Sequence, residues 1–148
     1  MPATNQLINS VFFIAPCGMN CALCYAFQRG MNPCPGCNGP NAGKPKSCVR
    51  CVIKNCTELK RSKGTFCFEC RAFPCKRLQQ LDKRYRTKYG MSMIDNLRSI
   101  EKNGIQKFVQ QEQRRWKCSR CDSLLSVHRS ACLSCGAPKT AKVKRRSL

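Results

Sequence analysis

The spacing of its cysteines constrains this chain more than any other feature. The unit C-x2-C-x4-C that begins at Cys48 recurs at Cys67, 19 positions later, and Leu59 and Leu78 each stand three residues beyond the last cysteine of their unit. A C-x2-C pair places two sulfurs on one metal because a tight turn points both thiols the same way. Ordinary buried cysteines would not keep this register twice. The repeat therefore predicts metal binding.

The number of cysteines favours a metal scaffold over a disulfide scaffold. The chain has 15 cysteines in 148 residues, a level typical of cross-linked or metal-bound proteins. Disulfides need an oxidising compartment, but the first basic residue is Arg29, so the sequence start has no basic region of the kind that opens an export signal. No apolar run approaches the roughly 20 residues of a membrane helix. We expect a reduced, cytoplasmic metalloprotein with no membrane association.

Eleven cysteines in the first half can be divided among metals in more than one way. C-x2-C-x10-C-x2-C is a plausible zinc site with four thiolates, formed by Cys34, Cys37, Cys48 and Cys51. A second site would then consist of Cys56, Cys67, Cys70 and Cys75. Cys17, Cys21 and Cys24 remain one ligand short, so a shared thiolate, a ligand other than cysteine or a different metal is required.

Those three cysteines also permit a different metal group. Their C-x3-C-x2-C spacing can hold three irons of a [4Fe–4S] cluster, and radical-SAM enzymes use it. Such enzymes need a large α/β barrel, for which the chain is too short. Zinc with a fourth cysteine from elsewhere is the plainer interpretation, and an iron–sulfur cluster at Cys17, Cys21 and Cys24 is the alternative.

The last cysteines form a self-contained motif. Trp116 opens W-x-C-x2-C-x10-C-x2-C, which predicts a zinc ribbon that binds one ion by itself through Cys118, Cys121, Cys132 and Cys135. The only histidine, His128, is more typical of loop packing than of a ligand, because the four cysteines already complete the zinc shell.

Between the two cysteine-rich parts the sequence predicts three helices. Leu78, Leu81 and Tyr85 recur at helical spacing before Gly90. Ser92, followed three residues later by an acid, predicts the start of a second helix that ends at Gly104. A third helix follows from Ile105. We expect a small metal-stabilised α+β protein: a cysteine-rich domain over 12–113 with a multi-zinc first half and short helices, a zinc ribbon over 114–138 and a basic tail over 139–148.

Net charge limits the function classes. The chain carries 28 Lys and Arg against seven Asp and Glu, a formal charge of +21. Thiolate sites would each lower this by only about 2, so the protein remains strongly basic and favours polyanions, of which nucleic acid is the commonest. A lysine-rich surface without such a partner is the plainer alternative. Candidate contacts are Arg71, Lys76, Arg77, Lys83 and Arg84. Phe66, Phe68 and Phe73 could stack bases, although core packing around the metal is the more usual role for phenylalanine.

The order of these motifs resembles a known family. P-C-G-M-N-C-A-L-C-Y, then C-P-G-C, C-V-R-C-V-I-K-N-C and K-G-T-F-C-F-E-C-R-A-F-P-C-K-R-L are similar to the bacterial and archaeal family called Domain of Unknown Function 3795. The segment around Asn96 and the R-W-K-C-S-R-C ribbon resemble its longer members. The resemblance implies a cysteine-rich, zinc-binding cytoplasmic protein and supplies no catalytic residue.

Two functions from different classes follow from the sequence. The first is a non-enzymatic zinc protein that binds nucleic acid or a protein partner through its basic surface. The second is an iron–sulfur or redox accessory protein that uses Cys17, Cys21 and Cys24. One histidine and seven scattered acids offer no recognisable acid–base pair, so the sequence favours a protein that is not an enzyme.

Overall fold

In the part of the chain that the structure describes, six α-helices form the regular secondary structure. The computed structural model describes residues 13–61 and 65–139. Phe12, where the first predicted domain begins, and the basic tail beyond Lys139 lie outside these ranges. The helices are α1 (Tyr25–Gln28), α2 (Lys46–Val49), α3 (Thr57–Arg61), α4 (Lys76–Tyr89), α5 (Met93–Asn103) and α6 (Ile105–Arg115), with 3-10 turns at Cys21–Leu23 and Cys67–Glu69.

The three long helices begin and end where the sequence predicts. Gly90 ends α4 with a φ of 69°, a left-handed conformation that glycine adopts at no steric cost. The Ser92 hydroxyl accepts a hydrogen bond of 3.1 Å from the Asp95 N–H and caps α5. Gly104, with a φ of 90°, ends α5 and precedes α6. The predicted helices are confirmed.

The β part of the expected α+β class is small. In residues 13–61 and 65–139 the extended pairing consists of three isolated antiparallel bridges, Ile14 with Asn20, Lys117 with Leu124, and Ala131 with Pro138. Each bridge lies beside a tight loop that reverses the chain within a few residues, so no strand has room to extend. The protein is small and mostly helical.

The repeated cysteine unit has a structural counterpart. Cys56 immediately precedes α3 and Cys75 immediately precedes α4, so each unit opens a helix at the same position. The leucine three residues further on is buried in both cases, at Leu59 and Leu78. The 19-residue spacing of the repeat therefore reflects two structural features that recur in each unit: the position where a helix begins and the buried leucine that follows.

One hydrophobic core joins the cysteine-rich half, the helices and the ribbon. Helix α5 packs against both α4 and α6. Its Met93 and Leu97 are fully buried, in the same cluster as Leu23 from the first half and Val127 from the ribbon. A smaller cluster contains Ile14, Ile100, Phe108 and Val109. Neither part has much core alone, so each supports the other.

Gly18 fixes the distance between the first cysteine loop and α5. Its φ is 92°, and a Cβ there would lie 2.8 Å from the Met93 carbonyl oxygen and 3.0 Å from the Leu97 side chain. The Asn96 side-chain amide donates a hydrogen bond of 3.0 Å to the Gly18 carbonyl. Only glycine satisfies both the backbone conformation and the close approach.

Candidate metal centres

Two similar knuckles build the ribbon. In the first, the Cys118 N–H donates to the Ser123 carbonyl at 2.8 Å and the Asp122 N–H donates back to the Cys118 carbonyl at 2.9 Å. In the second, Cys132 and Gly136 make the equivalent bonds, at 2.8 and 2.9 Å. The residue after the second cysteine is left-handed in both, with φ values of 64° at Asp122 and 77° at Gly136. Each knuckle thus turns its two thiols toward the other.

The four ribbon sulfurs lie at the spacing that zinc requires. The Sγ atoms of Cys118 and Cys135 are 3.7 Å apart, and those of Cys121 and Cys132 are 3.6 Å apart. A zinc ion about 2.3 Å from four tetrahedral sulfurs would hold them about 3.8 Å apart, whereas a disulfide bond measures about 2.05 Å. All four ligand atoms lie within 4.8 Å of one another, the one such group in the described part of the chain. These cysteines can hold one metal ion.

Hydrogen-bond donors favour the thiolate form of the two cysteines of the first knuckle, Cys118 and Cys121. Hydrogen bonds from the Cys121 and Arg120 N–H groups lower the pKa of Cys118. The side chain and N–H of Ser123 lower the pKa of Cys121 to about 6. Donors that favour the thiolate also favour the metal-bound form, because a metal ligand must be deprotonated.

A second group surrounds a small cavity under the start of α4. This cavity measures about 30 Å³ and is lined by Cys56, Cys67, Cys70 and Cys75. Ile53, Leu59 and Leu78 close it with apolar side chains. Burial and then the neighbouring thiols Cys75 and Cys56 raise the pKa of Cys67 to about 12. The sequence had assigned these four cysteines to one site, and the structure gathers them at one cavity; that they bind a metal stays a prediction.

The other seven cysteines of the first half line one larger cavity. It has a volume of about 390 Å³, and we call it the thiol cavity. Its cysteines are Cys17, Cys21, Cys24, Cys34, Cys37, Cys48 and Cys51. The predicted four-cysteine site and the leftover C-x3-C-x2-C motif therefore face the same space.

N–H groups point at several sulfurs of the thiol cavity. The Cys37 N–H donates to the Cys21 Sγ at 3.3 Å, and the Lys54 N–H donates to the Cys51 Sγ at 3.5 Å. The Cys24 sulfur accepts from the N–H groups of Ala26 and Phe27. Burial nevertheless raises the pKa of Cys21 to about 12, so this thiol stays protonated unless a metal replaces the proton.

All fifteen predicted ligands are free thiols in the structure. It adds lining residues of the thiol cavity that the sequence analysis missed as parts of a site, namely Lys44, Arg84, Tyr85 and Tyr89. The sequence predicts Arg84 only as a basic contact and Tyr85 only as part of the apolar stripe of α4. The helical spacing of Leu81, Tyr85 and Tyr89 predicts that the two tyrosines lie on the apolar face of α4. No neighbouring residue in the sequence, however, indicates which part of the protein this face packs against.

His128 is a packing residue, as its sequence context predicts. Its Nδ1 accepts a hydrogen bond of 3.2 Å from the Tyr25 N–H, and its Nε2 lies 2.8 Å from the Tyr85 hydroxyl. Since Nδ1 accepts, the neutral ring carries its proton on Nε2 and donates it to Tyr85. Burial, followed by the nearby Lys139 and Arg129, lowers the pKa of His128. The ring joins the ribbon to α1 and α4.

The predicted basic contacts lie on the surface. Arg71, Lys76, Arg77, Lys83 and Arg84 are all exposed. Phe66 and Phe68 stack on each other with ring centroids 5.7 Å apart and, like Phe73, are partly buried against the core. The phenylalanines therefore pack in the protein rather than forming an open platform for bases.

A comparison with protein families identifies the first half of the chain. Residues 13–80 match the model of a family described as protein of unknown function (DUF3795). The chain therefore contains a DUF3795 region over these residues. The DUF3795 region contains all eleven cysteines of the two cavities, whereas α5, α6 and the ribbon follow it. No curated protein and no solved structure matches the chain.

The length and hydropathy of the helices test whether one of them could span a membrane. Within the described ranges, none is both long and apolar enough to cross a bilayer.

Proposed function

We propose that the protein is a non-enzymatic, zinc-stabilised module that binds nucleic acid through the basic surface of α4. The zinc part rests on the ribbon, whose thiols already have the spacing of a tetrahedral site. Zinc there is structural, because four cysteines fill its shell and leave no position for water or substrate.

The observation that carries the nucleic-acid part is the charge distribution on α4. Six basic side chains of this helix are exposed, namely Lys76, Arg77, Lys83, Arg84, Arg86 and Lys88. Its single acid, Asp82, is only 3% exposed and pairs with Arg86, so it does not offset the field of the others. The helical period places Lys76 and Lys83 on the side opposite the buried Leu78, and it places Arg77, Arg84 and Lys88 together on one flank of the helix.

Such a surface suits phosphates better than bases. Lysine and arginine on one helix face neutralise backbone charge and release counterions, which gives affinity with little sequence preference. The phenylalanines that could stack bases are packed against the core. We therefore expect binding that depends weakly on sequence and falls steeply as salt rises.

A matched pair of variants tests the proposal. We expect Lys83→Ala with Lys88→Ala to weaken binding to a labelled oligonucleotide roughly tenfold at low salt and to flatten the salt dependence, because two phosphate contacts are lost. The control is Lys102→Ala with Lys107→Ala, which removes the same charge from exposed positions outside α4. Fluorescence anisotropy titrations with single- and double-stranded RNA and DNA give the affinities.

Two results would reject the nucleic-acid part. Equal weakening by both double variants would mean that net charge, and not α4, governs the association. No binding to any of the four nucleic acids at low salt would leave a protein partner as the better assignment for this surface.

A further inference from the structure

We propose that the thiol cavity holds an iron–sulfur cluster, bound by Cys17, Cys21 and Cys24 and completed by one thiol of the loop that contains Cys34, Cys37, Cys48 and Cys51. This goes beyond the proposed function, which concerns the ribbon and α4. The inference rests on the size of the cavity, the spacing of its sulfurs and the groups that surround them.

The spacing of the sulfurs differs between the ribbon and the thiol cavity. In the ribbon four Sγ atoms lie within 4.8 Å of one another, and in the described part of the chain no three ligand atoms of the thiol cavity do so. A single zinc ion draws its ligands to about 3.8 Å apart. A cubane cluster keeps its cysteine sulfurs further apart, because iron and sulfide atoms lie between them. The seven thiols therefore surround a volume larger than a single metal ion would occupy.

The volume of that space points the same way. The thiol cavity measures about 390 Å³, against about 30 Å³ for the cavity of Cys56, Cys67, Cys70 and Cys75. The smaller cavity has room for one ion, and the larger one has room for a polynuclear group.

The number of thiols fits a cluster better than zinc. Two four-thiolate zinc sites could use seven cysteines only if one sulfur bridged both ions, and the walls would then have to close until each set reached tetrahedral spacing. A cluster needs four of the seven and leaves the cavity at its present size. The C-x3-C-x2-C spacing supplies three of these four from one short segment.

The walls offer what a cluster needs beyond its ligands. N–H donors reach the sulfurs of Cys21 and Cys24, and hydrogen bonds to sulfur are among the features that set the reduction potential of a cluster. Met19, Phe27, Leu81 and Met93 provide apolar lining. Lys44 and Arg84 stand at the same cavity and offset the negative charge of bound thiolates.

Reconstitution of the full-length chain tests the proposal. The protein is purified without oxygen and treated with sulfide and equal amounts of ferrous and ferric iron, so that two ferrous ions, two ferric ions and four sulfides make up the [4Fe–4S]²⁺ core. Each ligating thiol loses its proton to the buffer and forms one bond to iron. We expect about four iron and four acid-labile sulfide per chain, with a brown colour. Addition of one electron by dithionite should then produce a paramagnetic signal. Absence of bound sulfide, with zinc filling the cavity instead, would overturn the proposal.

Four variants locate the cluster. Cys21→Ser and Cys24→Ser should each lower iron and sulfide severalfold, while Ser119→Ala and Lys102→Ala, at exposed positions outside the thiol cavity, should leave both unchanged. If the first two variants prove insoluble, Cys48→Ser, Cys51→Ser, Cys34→Ser and Cys37→Ser serve as a second set, because one of them must remove the fourth ligand. Full iron content in all soluble cysteine variants of both sets, or an equal loss of iron in Ser119→Ala, would contradict this location.

Discussion

The second cysteine of each ribbon knuckle depends on the residue that follows it. Asp122 and Gly136 both adopt a left-handed conformation, which ends the turn so that the N–H of each returns to the first cysteine of its knuckle. Glycine does this without strain, and aspartate is among the few other residues that tolerate it. The sulfurs of the two knuckles then meet at 3.7 and 3.6 Å before any metal is considered.

The ribbon should therefore show a four-thiolate spectrum that a single substitution removes. In the full chain loaded with cobalt, Cys121→Ser should lose about one metal per chain together with the intense visible bands of tetrahedral thiolate coordination, because one sulfur ligand is gone. Ser119→Ala, an exposed change in the same knuckle, is the control and should keep both. Unchanged bands in the Cys121 variant would mean that this thiol is not a ligand.

At the scale of elements, the junction between α4 and α5 is held by one carboxylate. Asp82 on α4 accepts hydrogen bonds from the Ser92 hydroxyl and from the Ile94 N–H at 3.0 Å, and its other oxygen lies 2.6 Å from the Arg86 Nε. Burial by itself would raise the pKa of Asp82, but the donors from Ser92, Ile94 and Arg86 outweigh it and hold the pKa below its usual value. The charged form is therefore the one that the fold stabilises.

Replacement of this carboxylate tests its contribution. We expect Asp82→Asn to lower the free energy of unfolding by about 1–3 kcal/mol at neutral pH, because an amide cannot accept all these donors. Since the folded pKa is depressed, the stabilisation is present above the unfolded value of about 3.9 and is lost as pH falls through the folded pKa. Urea unfolding of both proteins measures the difference, which should stay constant between about pH 7 and 5.

The matched control removes a carboxylate from the next helix. Asp95→Asn removes the same charge from the first turn of α5. There we expect it to weaken only the favourable interaction of the carboxylate with the helix dipole, which is a smaller contribution to stability. An equal loss in both variants would show that charge in this region, and not the junction made by Asp82, determines stability.

Some elements of the fold could be predicted from the sequence and others could not. The ends of α4, α5 and α6 follow from Gly90, Ser92 and Gly104, because caps and left-handed glycines act within a few residues. The ribbon could be predicted for the same reason. The thiol cavity could not, since it depends on contacts such as Asn96 with Gly18, which join residues 78 positions apart. The α+β class overstated the extended pairing, because the short loops beside the three antiparallel bridges leave little room for strands.

At the scale of the whole molecule, the ribbon and the helices share one core. Trp116, the only tryptophan, is fully buried where α6 meets the ribbon, and its indole N–H donates to Glu112 at 3.2 Å. The Leu125 N–H bonds the Trp116 carbonyl at 2.8 Å, and the Val127 N–H bonds the carbonyl of Leu23 at 2.9 Å. The sequence predicts a ribbon over 114–138 that binds zinc by itself. Because these contacts join the ribbon to the helices and to the first half, we expect the ribbon to unfold together with them.

This sharing leads to a prediction for the metal-loaded chain. On urea unfolding, Trp116 fluorescence, which reports on the ribbon junction, and far-ultraviolet circular dichroism, which reports mainly on α4, α5 and α6, should give the same midpoint and slope. The reason is that a single buried cluster contains Met93 and Leu97 together with Trp116 and Val127, so neither part keeps its core when the other unfolds. Cys121→Ser should move both transitions to lower urea by the same amount, because the zinc-derived folding energy is lost to the whole core. Two separate midpoints, with only the fluorescence transition moved by Cys121→Ser, would instead show that the ribbon is an independent unit that merely rests against the helices.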